Sequence, residues 1–182
     1  MSAHYELLRE DALRPLREAI ARVRMVPDAN EDAFDGAVGI YEKVSASLGR
    51  ISGLSARSHA PQVHICGLTC STKGVAVRVT FSLRRAGKLV RWEQSKRLVT
   101  GGLVVLTPRT DMFASKALVA VVAARPLSGL EQTPPEIDLY IPRAEEQEID
   151  PAVEWVMVED RGGLFEADRH TLLALQRMMR EP

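Results

Sequence analysis

Val75, Val77, Val79, Phe81 and Leu83 alternate with Ala76, Arg78, Thr80 and Ser82. A helix would scatter these two sets around its axis, whereas a strand puts them on opposite faces, so the period of two commits this stretch to a half-buried strand with a polar outer side. Ala86-Gly87 supplies the turn that ends it. Further strands are predicted around Leu89 to Glu93, Leu103 to Thr107, Ala117 to Ala124, Glu136 to Ile141 and Val153 to Glu159. Pro108, Pro126, Pro134-Pro135, Pro142 and Pro151 punctuate the gaps between them. Six or seven short strands at such spacing predict a small antiparallel barrel or sandwich.

The period is different at both ends. Leu13, Leu16, Ile20 and Val23 recur at spacings of three and four, which places them on one face of a helix between Tyr5 and Val26. Pro15 either kinks that helix or sits in the first turn of a second one. Pro27 to Gly36 reads as a solvated loop. Its acids suggest a calcium frame starting at Glu31, but Glu stands at the first ligand position and Ala33 at the third, so the frame fails. Residues 37–50 predict a short helix through Val38, Tyr41, Val44 and Leu48, ended by Gly49. After Arg161-Gly162-Gly163, the residues Phe165, Leu172, Leu175 and Met179 line a last helical face. The predicted class is α+β. Terminal helices (1–50 and 162–182) flank a barrel of about six strands (51–161), and they pack together as a stalk with Leu16 and Ile20 near Phe165 to Met179.

Charge is unevenly placed in a chain that is formally neutral overall. Residues 50–125 hold 13 basic and 2 acidic side chains, while residues 126–182 hold 5 and 13. A basic middle of this kind can meet a phosphate backbone or an acidic protein, or it can be paired internally by the acidic flank. No apolar run approaches the roughly 20 residues of a membrane helix, so an intracellular protein is expected. Cys66 and Cys70 are too few for a disulfide framework, and with His59 and His64 they lie along extended chain where one ion could not reach them, so no metal is expected. The motifs GxxxxGK[ST], HExxH and GxSxG do not occur in the sequence, and neither an enzyme nor a cofactor is expected.

Cations concentrate between Phe81 and Thr100, where Arg84, Arg85, Lys88, Arg91, Lys96 and Arg97 face the single Glu93. They are the candidate nucleic-acid-binding residues. As surface groups, Arg84, Arg85 and Lys88 should tolerate serine with little change in stability. Trp92 lies among them and either stacks on a base or, more in keeping with how tryptophan is usually buried, belongs to the barrel core.

These residues also carry a resemblance. Leu7-Leu8-Arg9-Glu10-Asp11 with Arg14-Pro15-Leu16-Arg17-Glu18 and Ile20 resembles the start of the pre-helicase region of ZNFX-type zinc-finger helicases. These are Upf-like superfamily 1 proteins of RNA silencing, and the fungal helicases required for RNAi-mediated heterochromatin assembly belong with them. Val90-Arg91-Trp92, Ser95-Lys96-Arg97-Leu98 and Gly101-Gly102-Leu103-Val104 resemble that family's RW-x-x-SKRL-x-x-GSLV signature, with Gly102 in place of Ser. Met157-Val158-Glu159 and Phe165-Glu166-Ala167-x-Arg169-His170 through Leu175-Gln176 resemble the block before its ATPase core. The resemblance implies a stalk and accessory barrel that modulates RNA grip, with a helicase core in cis if the gene continues. It also implies RNA, RNA-directed RNA polymerase and Argonaute complexes as partners, and a nuclear location with cytoplasmic granules as the other possibility. The rival reading is a protein-interaction module whose basic face binds an acidic partner without RNA.

Overall fold

The strand Trp155–Asp160 (β7) is buried along almost its whole length because both of its faces meet a core. Trp155 and Met157 point into one cluster, and Val156 and Val158 into another. In the computed structural model, which describes residues 2–46, 68–71, 74–87, 89–142, 153–162 and 165–180, the first cluster fills a barrel and the second lies between the barrel wall and the N-terminal helix. The barrel strands are β1 (Val38–Ala46), β3 (Gly74–Ser82), β4 (Leu103–Pro108), β5 (Leu118–Ala124), β6 (Glu136–Tyr140) and β7, in the order β1-β7-β4-β5-β6-β3. Pairing of Glu42 with Ser82 and of Ala46 with Val79 brings β3 back to β1 and closes a six-stranded antiparallel barrel. Closure leaves none of the six as a free sheet edge. The short strand β2 (Leu68–Ser71) extends β3 as a hairpin.

One continuous helix, α1 (Ser2–Met25), carries Pro15 within it, so the two-helix alternative does not hold. Leu16, Ala19 and Val23 are its buried residues, and they close the outer core over Val38, Ile40, Val105, Val156 and Val158. A short helix, α2 (Leu127–Leu130), follows β5, and the C-terminal helix α3 (Phe165–Arg180) packs against α1. Leu16 and Phe165 line one small cavity, as the stalk expectation requires. Ile20 instead packs on the outer core. The stalk is therefore fastened to the barrel side by α1, while α3 leans on α1.

Two expected elements differ. Residues 37–50 were expected as a helix, but Val38–Ala46 is a barrel strand. A register shift between Tyr41 and Val44 puts a bulge in β1, and before it both faces are buried, Val38 and Ile40 in the outer core and Tyr41 in the inner one, so apolar residues three apart imitate a helix. The expected strand at Leu89 to Glu93 is absent: Trp92–Gln94 is a single 3-10 turn in the loop between β3 and β4. Of the possible metal ligands, His59, His64 and Cys66 lie outside the described residues.

Inside the barrel, Tyr41, Phe81 and Trp92 meet edge to face, with centroids 5.1 Å and 6.1 Å apart. Gly39 leaves the space that the Glu159 carboxylate occupies, since a Cβ there would lie 2.6 Å from Oε1 of Glu159 and 3.0 Å from the Tyr41 hydroxyl. Gly39→Ala should consequently destabilise the fold by about 1–3 kcal/mol, the usual cost of overpacking, and urea unfolding followed by tryptophan fluorescence would measure it.

Candidate nucleic-acid interface

The loop between β3 and β4 carries the candidate cations, and buried groups at four points fix its course. Arg85, in the 3-10 turn Arg84–Ala86, donates from Nε to Oε1 of Glu42 at 2.6 Å and from Nη1 to the carbonyls of Pro27 and Ala29. Trp92 enters the barrel core. The backbone carbonyls of Trp92 and Ser95 accept from Nη2 of Arg125 at 2.7 Å and 2.9 Å, and the same guanidinium lies 5.8 Å from the Trp92 ring centroid. Arg97 makes a two-pronged pair with Glu31, in which Nη1 donates to Oε1 at 2.8 Å and Nη2 donates to Oε2. Leu98 follows in the left-handed region at φ 50° and is buried.

Leu98 is held there by Glu159. Its N–H donates to Oε2 of Glu159 at 2.7 Å, and the Tyr41 hydroxyl donates to Oε1 at 2.5 Å. Burial pushes the Glu159 carboxyl up to about 6, against the opposing effects of these two hydrogen bonds and of the Arg97 and Arg161 charges. Burial, with the Glu159 charge beside it, also holds the Tyr41 phenol well above its ordinary value. For Arg97, burial is the largest single effect and works against the charge, but the hydrogen bonds to Glu31, the interactions with Tyr41 and the Glu31 charge together outweigh it, and the guanidinium sits above its usual value.

The six candidate cations are alike in the sequence, and the five among the described residues fall into two groups in the structure. Arg84, Arg91 and Lys96 are exposed, and none of the three is ion-paired within the described residues. Arg85 and Arg97 are buried and occupied by carboxylates, which corrects the expectation that Arg85 is a surface group replaceable at no cost. Lys88 lies outside the described residues. Each exposed cation immediately precedes a buried anchor, giving the pairs Arg84-Arg85, Arg91-Trp92 and Lys96-Arg97. Glu31 and Glu159 were missed as partners: the first sits in an acidic loop that reads as solvated, and the second ends an apolar strand.

The family model of the ZNFX1 domain matches residues 60–161, which include this loop. The chain belongs to the ZNFX1 domain family. A fission yeast relative of this family, the Helicase required for RNAi-mediated heterochromatin assembly 1 of Schizosaccharomyces pombe, is 38% identical over 98% of the chain. The NFX1-type zinc finger-containing protein 1 of Mus musculus and that of Homo sapiens are 32% and 30% identical over its whole length. The chain spans 15% of the yeast protein and 8% of each mammalian one. No solved structure matches. The family resemblance drawn from the sequence blocks is thereby confirmed. Several residues that carry it, Trp92, Arg97 and Leu98, are parts of the buried framework of this ZNFX1 domain.

Two measurements check the framework. Arg97→Ala leaves the Glu31 carboxylate buried without its partner and should destabilise the domain by about 3–5 kcal/mol. Lys96→Ala, one residue away on the surface, should change stability by less than about 0.5 kcal/mol in the same denaturant titration. For Glu159 the sign follows from a raised carboxyl: between pH 4.5 and about 6 the folded chain holds a proton that the unfolded chain has released. Its contribution is greatest below that window and declines by about 2 kcal/mol as pH rises through it. Glu159→Gln should abolish that slope, which unfolding free energies measured at a series of pH values would show.

Proposed function

We propose that this chain is a non-catalytic accessory domain, stalk plus barrel, of an RNA-silencing helicase, and that it guides RNA along the loop between β3 and β4. The observation that carries this reading is the placement of Arg84, Arg91 and Lys96 outward on a loop that Arg85, Trp92, Arg97 and Leu98 tie to the barrel. Cations on a backbone already fixed in place lose less entropy on binding phosphates than cations on a loose loop. The name of the yeast relative, a helicase of RNAi-mediated heterochromatin assembly, supports RNA as the polyanion and the nucleus as the place of action. In this reading a helicase core acts in cis, and RNA-directed RNA polymerase or Argonaute complexes are the assemblies it serves. Lys88 belongs to the proposed contact set with these three cations, whereas Arg85 and Arg97 contribute by holding the loop.

Each cation that displaces a counterion from single-stranded nucleic acid adds about 0.7 to the slope of log affinity against log salt. Replacing Arg84, Arg91 and Lys96 together by serine should weaken binding of single-stranded RNA and flatten that slope by about 2, with the midpoint of thermal unfolding nearly unchanged. Fluorescence anisotropy with labelled RNA at several salt concentrations makes the comparison. An unchanged slope in the folded triple variant would overturn the RNA reading and favour a protein partner for these cations.

A further inference from the structure

Three arginines hold the loop between β3 and β4, and one of them differs from the other two. Arg85 is paired with Glu42 and Arg97 with Glu31, so each of these charges is neutralised where it is buried. Arg125 is half-buried, and among the described residues no carboxylate pairs with it. Its acceptors are the backbone carbonyls of Trp92 and Ser95, 33 and 30 positions away, and its other neighbour is the Trp92 ring. Carbonyls and a ring attract a guanidinium without cancelling its charge, so a full positive charge stays at this point.

Place and orientation are set from both sides. Arg125 follows β5 directly and precedes Pro126 and α2, whose Leu130 enters the barrel core. α2 packs against the turn Trp92–Gln94. The carbonyls that Arg125 holds belong to the residue after Arg91 and the residue before Lys96, so its guanidinium sits at the turn that separates these two exposed cations. Nη2 is occupied by the two carbonyls and Nε is buried without a partner, whereas Nη1 has neither that burial nor an acceptor among the described residues. Glu93, the carboxylate within the same turn, is exposed and makes no pair with Arg125.

We propose that Arg125 is a phosphate-binding residue of this interface, taking a backbone phosphate of single-stranded RNA between those met by Arg91 and Lys96. This role presupposes that the loop guides RNA, and it adds a cation from a different segment of the chain. A guanidinium already held by two hydrogen bonds loses little freedom when Nη1 takes a phosphate oxygen, and its weak hydration suits it to that contact better than an ammonium. Arg125 lies outside the cation-rich stretch from Phe81 to Thr100, so counting charge along that stretch passes over it.

The test compares Arg125→Gln with Arg125→Lys in the whole chain, using a labelled twelve-nucleotide oligouridylate at several salt concentrations. Neither variant reproduces the guanidinium fork on the two carbonyls, but only Arg125→Gln gives up the charge, so a merely structural role would affect both alike. Arg125→Gln should flatten the salt slope by about 0.7 and weaken binding about fivefold at 0.1 M salt, while Arg125→Lys keeps the parental slope. The triple serine variant of Arg84, Arg91 and Lys96 is titrated beside them. If it flattens the slope while Arg125→Gln does not, or if Arg125→Lys loses as much slope as Arg125→Gln, then Arg125 only holds the loop and the proposal is overturned. If the triple variant also keeps the parental slope, the RNA reading itself fails and this role falls with it. Nuclear magnetic resonance of the unsubstituted chain gives a check that does not depend on how a variant folds. The Arg125 guanidinium resonances should shift as the oligonucleotide is added, and unchanged resonances at saturation would overturn the proposal.

Discussion

Glu31 and Arg97 stand 66 positions apart in the chain, yet their side chains are 3% and 2% exposed and share two hydrogen bonds. Neither charge is tolerable alone in that position, because removing water from an unpaired carboxylate or guanidinium costs several kcal/mol. The pair therefore forms only when the turn Glu31–Phe34, the start of β1 and the loop before β4 are all in place. Oε1 of Glu31 also accepts the Ile40 N–H at 2.9 Å, which ties the same carboxylate into the barrel wall. Glu159 repeats this arrangement from inside the barrel. It takes the Leu98 N–H, the residue after Arg97, and so fixes the next peptide of the loop at a left-handed φ.

Local geometry then passes into surface chemistry. The described residues that anchor the loop inward between β3 and β4 include an arginine paired to Glu42, a tryptophan in the aromatic row, an arginine paired to Glu31 and a leucine in the core. The cations just before three of them are turned to solvent. Two kinds of arginine thus occur within one short basic stretch, one kind holding the loop and the other available to a partner. A count of positive charge cannot distinguish them. This division explains how residues that mark the ZNFX1 domain family can lie in a cation-rich stretch without being surface residues themselves.

The strands with unbroken alternation or compact apolar runs, Gly74–Ser82, Leu103–Pro108, Leu118–Ala124 and Glu136–Tyr140, were legible in the sequence because one or both faces meet the core without interruption. The terminal helices were legible from their spacing. The strand Val38–Ala46 was not, since both of its faces meet a core before the bulge and its apolar residues do not alternate with polar ones. Burial of Arg85 and Arg97 was also out of reach, because it depends on Glu42 and Glu31, which are 43 and 66 positions away. Glu31 is flanked by Asn30 and Asp32, and nothing in that neighbourhood marks it as the one acid facing inward. Trp92 lies in the core, the alternative that the general tendency of tryptophan to be buried favoured over base stacking.

The central claim is that the loop between β3 and β4 is a fixed part of the barrel. Amide hydrogen exchange at Leu98 and Gly101 tests it most directly, since these N–H groups donate to Glu159 and to the Val122 carbonyl. The account predicts protection comparable to that of β7 amides, opening only with the barrel as a whole. Exchange at the rate of an unprotected loop, while β7 stays protected, would contradict it.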